Sequence, residues 1–200
     1  MYLIVTRSFP PELGGMQNLM WGLTNELSKH YMLKVFADHH NNHKDFDEKV
    51  SFSIERVGGI KLLRKYRKAQ LINEFIKQNK VEYIIADHWK SLELIKSGKK
   101  KICLIHSKEI NHNKGTNLNK RVLSVLNNVE AVIANSKFTK NLAISLGIEE
   151  NKIIIINPGV ASVKELNKKS VIKVENLLKQ KNPRLITVSR FDKRKNHEKI

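Results

Sequence analysis

The sequence predicts an α/β domain, a parallel sheet with helices packed on both faces. Three observations carry this reading. Short apolar runs alternate along the chain with longer segments of helical periodicity. The apolar runs are nearly continuous, as in strands covered on both faces. And nearly every run hands over to a polar or histidine residue, as expected where ligands gather beyond the carboxyl ends of parallel strands.

The elements follow in order. Tyr2–Thr6 reads as the first strand. Met16–His30 reads as a helix, because Leu19, Leu23 and Leu27 recur at four-residue spacing. Leu33–Ala37 is the next strand, 38–49 a polar loop, and Val50–Arg56 a short strand. Lys61–Gln78 is a long amphipathic helix with Leu62, Tyr66, Ala69, Ile72 and Ile76 on one face. Tyr83–Ala86, Lys101–Ile105, Ala131–Ala134 and Ile153–Ile156 are further buried strands. Helices fill Ser91–Lys96, Leu118–Asn127 and Lys137–Leu146, the last stopped by Gly147. Residues 161–183 are lysine-rich and helical in pattern, and read as a linker after a first domain at 1–160. A new strand, Leu185–Val188, a basic loop and a helix start at Asn196 then read as the beginning of a second domain, truncated at 184–200.

Composition narrows the class. At 200 residues, 40% hydrophobic and 28% charged, the chain is of globular type with material for one good core. No apolar stretch approaches the roughly 18 residues of a membrane span. The amino end lacks a basic leader before its apolar run and breaks at Pro10–Pro11, so it reads as a strand and not a secretion signal. The single cysteine, Cys103, excludes an internal disulfide and fits a reducing cytoplasm; inside a strand it reads as core. Net charge is +18, which points either to an anionic partner or to a lysine-rich composition spread over the surface.

Several residues carry possible chemistry. Gly14 and Gly15 lie between the first strand and the first helix. Paired glycines let a ligand approach the backbone, where the amides of a helix start attract an anion; they also make ordinary tight turns. The pattern is neither GxGxxG nor a Walker loop. Arg190 ends a predicted strand and Lys195 precedes a predicted helix, so both charges point to one region. A guanidinium fork and a compact ammonium can together neutralise a diphosphate, although two basic residues also suit a solvated turn.

Three stretches taken in order, SFPPELGGMQNLMWGLTNELSKH, VIANSKFTKNLAISLGIEENKIIIINPGV and LITVSRFDKRKNHEKI, resemble the family 4 retaining glycosyltransferases of the GT-B fold. The resemblance implies two Rossmann-like domains facing across a cleft. Here the first is complete and the second has barely begun, so the chain reads as an amino-terminal fragment that is inactive alone. It implies transfer of a sugar from a nucleotide-diphosphate sugar, with retention, to a glycan or lipid-linked acceptor in cell-envelope polysaccharide biosynthesis. It implies catalytic roles for His106, Arg190 and Lys195, and donor-phosphate binding by Gly14, Gly15, Arg190 and Lys195. No metal cofactor is expected; the nucleotide sugar is the donor substrate. Asn196 stands where many members have glycine, and the family's acidic motif is not found up to Ile200.

Other readings remain beside this one. His88 and Trp89, Ser136 and Asn157 follow strands and are candidates to line an acceptor cleft, or are simply packed loop residues. His39, His40 and His43 suggest a metal, but adjacent histidines rarely chelate one ion and only Asp38 stands near. The helix from Lys61 carries Arg64, Lys65, Arg67 and Lys68, which either rest on anionic lipid at the inner face of the cytoplasmic membrane or form a solvated face. A basic nucleic-acid-binding protein lacks support, since aromatics are 6% and no recognised binding module appears. A dinucleotide oxidoreductase lacks its glycine fingerprint. A GT-B sugar-nucleotide epimerase is the related alternative.

Overall fold

The computed structural model describes residues 1–159, 167–179, 182–183, 185–189, 191, 193 and 196–199. The chain divides into two compact units, Met1–Val160 and Ala161–Ile200.

The first unit is built on β1 (Tyr2–Val5), β2 (Leu33–Asp38), β3 (Ser53–Val57), β4 (Tyr83–Ala86), β5 (Lys100–Ile105), β6 (Ala131–Ala134) and β7 (Ile153–Ile155). All seven pair in parallel, in the order β3-β2-β1-β4-β5-β6-β7. The order reverses between β1 and β4. There Ile4 aligns with Ile85 and Val5 with Ala86. Connecting helices are α1 (Gly15–Ser28), α2 (Lys44–Asp47), α3 (Lys61–Gln78), α4 (Trp89–Leu92), α5 (Asn117–Leu126) and α6 (Lys137–Leu146).

Strand residues alternate between two apolar layers, as a period of two requires. Leu3, Val5, Phe36, Ile84, Ala86, Cys103 and Ile105 pack with Ile72 of α3, Trp89 of α4, Val122 of α5 and Ala143 of α6. Ile4, Val35, Ala37, Ile85 and Leu104 pack on the other face with Met20 of α1 and Phe9. Right-handed crossovers force this division: connections running one way from β1 lie on one face and those running the other way on the opposite face.

Four local readings are corrected. The loop at 38–49 contains α2, a single turn too short to show a periodicity. The helix after β4 begins at Trp89 rather than Ser91, because His88 caps it. In α3, Leu62 and Tyr66 are not core: they are 79% and 54% exposed, and Lys68 is buried instead. An 18-residue helix is ~27 Å long. The longest strands, at six residues, reach only ~20 Å. The first turns of α3 therefore overhang the carboxyl edge of the sheet, where none of the described residues covers Leu62 or Tyr66. In the second unit, α7 (Lys168–Leu178) is helical, but Leu185–Val188 is not a strand. Leu185, Ile186 and Val188 are each more than 85% exposed, and no neighbouring strand pairs with them among the described residues. An isolated strand has nothing to satisfy its backbone.

Candidate active site

The carboxyl edge of the sheet, at the reversal between β1 and β4, gathers most of the polar residues that follow strands. Asp87, one residue past β4, is 4% exposed. Its Oδ2 accepts from the Thr6 hydroxyl at 2.7 Å and the Arg7 amide at 3.2 Å, and its Oδ1 accepts from Ser91 Oγ at 3.2 Å. Burial pushes its carboxyl above the ordinary range, against the pull of those hydrogen bonds and of Lys68. On the other side of β1, buried Lys68 Nζ donates to the Thr6 carbonyl at 2.8 Å and to Asp38 Oδ1 at 2.6 Å. Arg64 reaches the second oxygen of Asp38 at 3.3 Å.

This network fixes the chain leaving β1. Phe9 is buried at 2% exposure, and the Arg56 guanidinium donates to the Pro10 carbonyl while pairing with Asp47. The segment then reaches Gly14, the N-cap of α1, which has no side-chain cap. A Cβ on Gly14 would stand 2.3 Å from Oε1 of buried Gln17, so the absence of a side chain lets Gln17 fold back under the turn. Gly15 opens the helix, and a Cβ there would meet none of the described residues within 4 Å. The first amides of α1 are thus presented on a braced turn, facing open space at Gly15, with the positive end of a 14-residue helix behind them.

His106 follows β5. Its backbone N–H donates to the Glu109 carboxylate, while its Nε2 is buried without a hydrogen-bond partner among the described residues. Burial lowers the imidazole pKa below its usual value, opposed by the charges of Glu109 and Asp87, so the ring is neutral near pH 7. His88 caps α4: its Nδ1 accepts from the Lys90 amide at 3.0 Å, which leaves Nε2 as the protonated nitrogen. Burial, then Arg7 and Lys90, depress it to about 3. Trp89 is fully buried and donates to the Glu109 carbonyl at 2.8 Å, which joins α4 to the loop after His106.

The remaining predicted positions divide. Ser136 is the N-cap of α6: its Oγ accepts from the Thr139 amide at 3.2 Å. Asn157 donates to the Asn135 carbonyl at 3.1 Å and is exposed beyond β7, at the end of the sheet away from the reversal. Arg190 and Lys195 lie outside the described residues. His43 bonds Asp47 at 3.1 Å and packs against His39, and no group of three or more metal-ligating side chains gathers among the described residues. A cavity of about 260 Å³ lies at this edge, lined by Arg7, Ser8, Glu12, Asp38, His40 and Arg64 among others. A larger hollow of about 670 Å³ sits at the opposite, amino-terminal edge around Met1, Tyr31 and Phe75, and contains none of the residues that follow strands.

Sequence reasoning missed Lys68, Asp38 and Asp87 as organisers. A signal was present for Lys68: it sits four residues before Ile72, on the apolar stripe, where a cation must find a partner.

The family model for Glycosyltransferase Family 4 matches residues 13–163, from the residue before the glycine pair to beyond β7. The chain belongs to glycosyltransferase family 4. Similar solved structures include HepE from Anabaena in complex with UDP-glucose, at TM-score 0.65 and 14% identity over 90% of this chain and 50% of that one. A glycosyltransferase from Rickettsia africae matches at TM-score 0.67 and 18% identity, over 91% and 50%. Sucrose-phosphate synthase from Thermosynechococcus elongatus matches at 0.69 and 15%, over 97% and 56%. Comparison with curated proteins by sequence gives no match. The chain spans about half the length of the HepE and Rickettsia structures. At these identities the likeness is one of fold: the α/β, Rossmann-like parallel sheet of the GT-B type. Among the described residues, this family 4 chain has no helix long and apolar enough to cross a membrane.

Proposed function

We propose that the chain is the acceptor-side part of a retaining glycosyltransferase that takes its sugar from a nucleotide-diphosphate donor. The observation that carries this is the braced, uncapped start of α1 at Gly14–Gly15, in a chain of family 4 whose neutral His88 and His106 follow β4 and β5 at the same edge of the sheet. Residues 1–160 form the acceptor domain, 161–183 the linker and 184–200 the opening of the nucleotide-sugar domain. The UDP and UDP-glucose held by HepE support a nucleotide-sugar donor.

Breaking the anomeric bond builds negative charge on the leaving diphosphate. Arg190, Lys195 and the Gly15 amide stabilise that charge in the transition state. The acceptor hydroxyl attacks from the leaving-group side, and a phosphate oxygen takes its proton. A neutral His106 polarises a sugar hydroxyl. No metal is required, since two cations and a helix start meet the charge. The acceptor is a glycan or glycolipid of the cell envelope, met at the inner face of the cytoplasmic membrane. The overhang of α3, with Leu62, Leu63 and Tyr66 exposed beside Lys61, Lys65 and Arg67, suits peripheral contact with anionic lipid.

The test is donor-dependent product formation from nucleotide sugars and envelope acceptors, with anomeric configuration read by NMR. In a form carrying a complete second lobe, Arg190→Ala and Lys195→Ala each remove about 3 kcal/mol of transition-state stabilisation, a loss above a hundredfold in turnover. Near-parental rates in both variants would refute their roles, and an inverted product would refute the reaction class.

A further inference from the structure

The loop after β5 holds a conformation that residues with side chains avoid. Ser107, directly after His106, has φ 80°, in the left-handed region. The turn behind it closes on the Ser107 carbonyl, which accepts from the Ile110 amide at 3.2 Å and the Asn111 amide at 3.0 Å. Ile110 is fully buried and pins the far end of this turn in the core. Strain of this kind persists only where surrounding contacts over-determine the backbone, and it clusters at functional sites.

Glu109 supplies such contacts from both of its ends. Its carboxylate accepts the His106 backbone N–H, which closes a ring around Ser107. The charge on the acceptor makes that bond stronger than one between neutral groups. Its carbonyl accepts the indole N–H of Trp89 at 2.8 Å. Trp89 opens α4 and is fully buried in the same apolar layer as Ile105 and Ile110. One residue thus ties the backbone of His106 to the helix that follows the neighbouring strand. The His106 Nε2, buried and without a hydrogen-bond partner among the described residues, is the atom this arrangement presents. Buried polar atoms left open in this way are a mark of catalytic or ligand-binding use.

We propose that Glu109 is a positioning residue for the transfer reaction: its carboxylate and its carbonyl together fix the backbone that carries the His106 imidazole. This rests on the glycosyltransferase reading and deepens it. His106 can polarise a sugar hydroxyl only while its ring is held in one direction, and the holding falls to a residue that acts through the histidine.

Glu109 also acts on the ring by charge, and the two effects are separable. The titratable groups around His106 are Glu109 on its own loop and Asp87 and His88 beyond β4. Burial lowers the His106 pKa and is the larger influence; the charges of Glu109 and Asp87 raise it. Glu109→Gln removes the charge and keeps an acceptor for the N–H. Burial is then less opposed, and His106 is expected to titrate lower than in the parent. Glu109→Ala removes the acceptor as well. The backbone is released, the ring reaches water, and its pKa is expected to rise toward 6.5.

Long-range proton–nitrogen correlation spectra of the 200-residue chain follow the imidazoles against pH, with His106→Asn identifying the resonance among eight histidines. Trp89→Phe drops the bond to the Glu109 carbonyl and is expected to move His106 upward by less than Glu109→Ala does. Melting temperatures report folding separately. A purely structural Glu109 lowers them in Glu109→Ala and leaves the His106 titration where it was. That result, or shifts of the same sign in both Glu109 variants, overturns the proposal. In a form with a complete second lobe, Glu109→Ala is expected to lose about 10–100-fold in kcat with donor KM little changed, and Glu109→Gln to recover most of it. A parental kcat in Glu109→Ala overturns the proposal as well. A parent that transfers no sugar refutes the glycosyltransferase reading instead, and the paired titrations still decide whether Glu109 aims His106.

Discussion

The hydroxyl of Thr6, just past β1, donates to the carboxylate of Asp87, just past β4, at 2.7 Å in a buried setting. The bond spans the two strands at which the sheet order reverses, and the same Thr6 oxygen accepts from the Ser8 amide at 3.1 Å. Thr6→Val keeps the shape and removes both interactions. It leaves a buried carboxylate short of one donor and the turn toward Gly14 unbraced. The expected cost is about 1–3 kcal/mol in urea unfolding. A loss under a few tenths would show that the bond does not organise this edge.

Lys68 and Arg64 both reach Asp38 but from different surroundings. The Lys68 side chain is 6% exposed and also holds the Thr6 carbonyl, whereas Arg64 is 26% exposed. Lys68→Met is expected to cost about 1.5–3 kcal/mol. Arg64→Ala is expected to cost no more than about 1 kcal/mol. Chemical denaturation of the two variants checks the order, and equal losses would contradict it.

His88 sets a pH dependence whose sign follows from burial. Its pKa is about 3 in the fold against 6.5 for a free histidine. Below 6.5 the unfolded chain takes up a proton that the folded chain refuses, so this contribution to stability is present above 6.5 and is lost as pH falls toward 3. Asp87 acts in the opposite sense: its raised pKa makes the folded state the better proton acceptor above 3.8. His88→Asn retains a side-chain oxygen for the Lys90 amide and so keeps the cap. The variant is expected to lose less stability than the parent between neutral pH and pH 4.5. Parallel curves in that range would remove His88 as the cause.

Gly15→Ala separates folding from function. A methyl group there meets nothing within 4 Å, so the melting temperature is expected to stay at the parental value or rise slightly. In the proposed reaction the same methyl stands where the donor phosphate would approach the first α1 amides. Donor-dependent turnover in a form with a complete second lobe is expected to fall at least tenfold, and unaltered turnover would take the glycine turn out of the donor site.

Elements set by repetition along one stretch of chain were legible. The bounds of α3 and α6 coincide with the apolar periodicity, and β4 and β6 coincide with their uninterrupted apolar runs. Gly147 stops α6 in the left-handed conformation at φ 104°. What failed depended on partners distant in sequence. Lys68 reads as part of a basic face until Asp38 and Thr6 are brought to it, and Leu62 reads as core until α3 is seen to outrun the strands. Leu185–Val188 has the composition of a strand but no strand beside it. The handover from strands is legible too, since Gly14, His88 and His106 follow β1, β4 and β5 at the carboxyl edge. The hydroxyl of Ser136 reads equally well as a ligand contact or a cap, and only the position of the Thr139 amide separates them.

Because β1 lies at the centre of the order while its partner β4 lies about 80 residues later, half of the sheet's middle cannot close early in biosynthesis. At roughly 5–20 residues per second, some 4–16 s of translation separate Thr6 from Asp87, which are 81 positions apart. Throughout that interval one side of β1 is a bare, apolar edge of Leu3, Ile4 and Val5, open to pairing with any other emerging strand. The nascent chain is therefore most vulnerable to aggregation in its first half, and slower decoding before β4 lengthens that exposure.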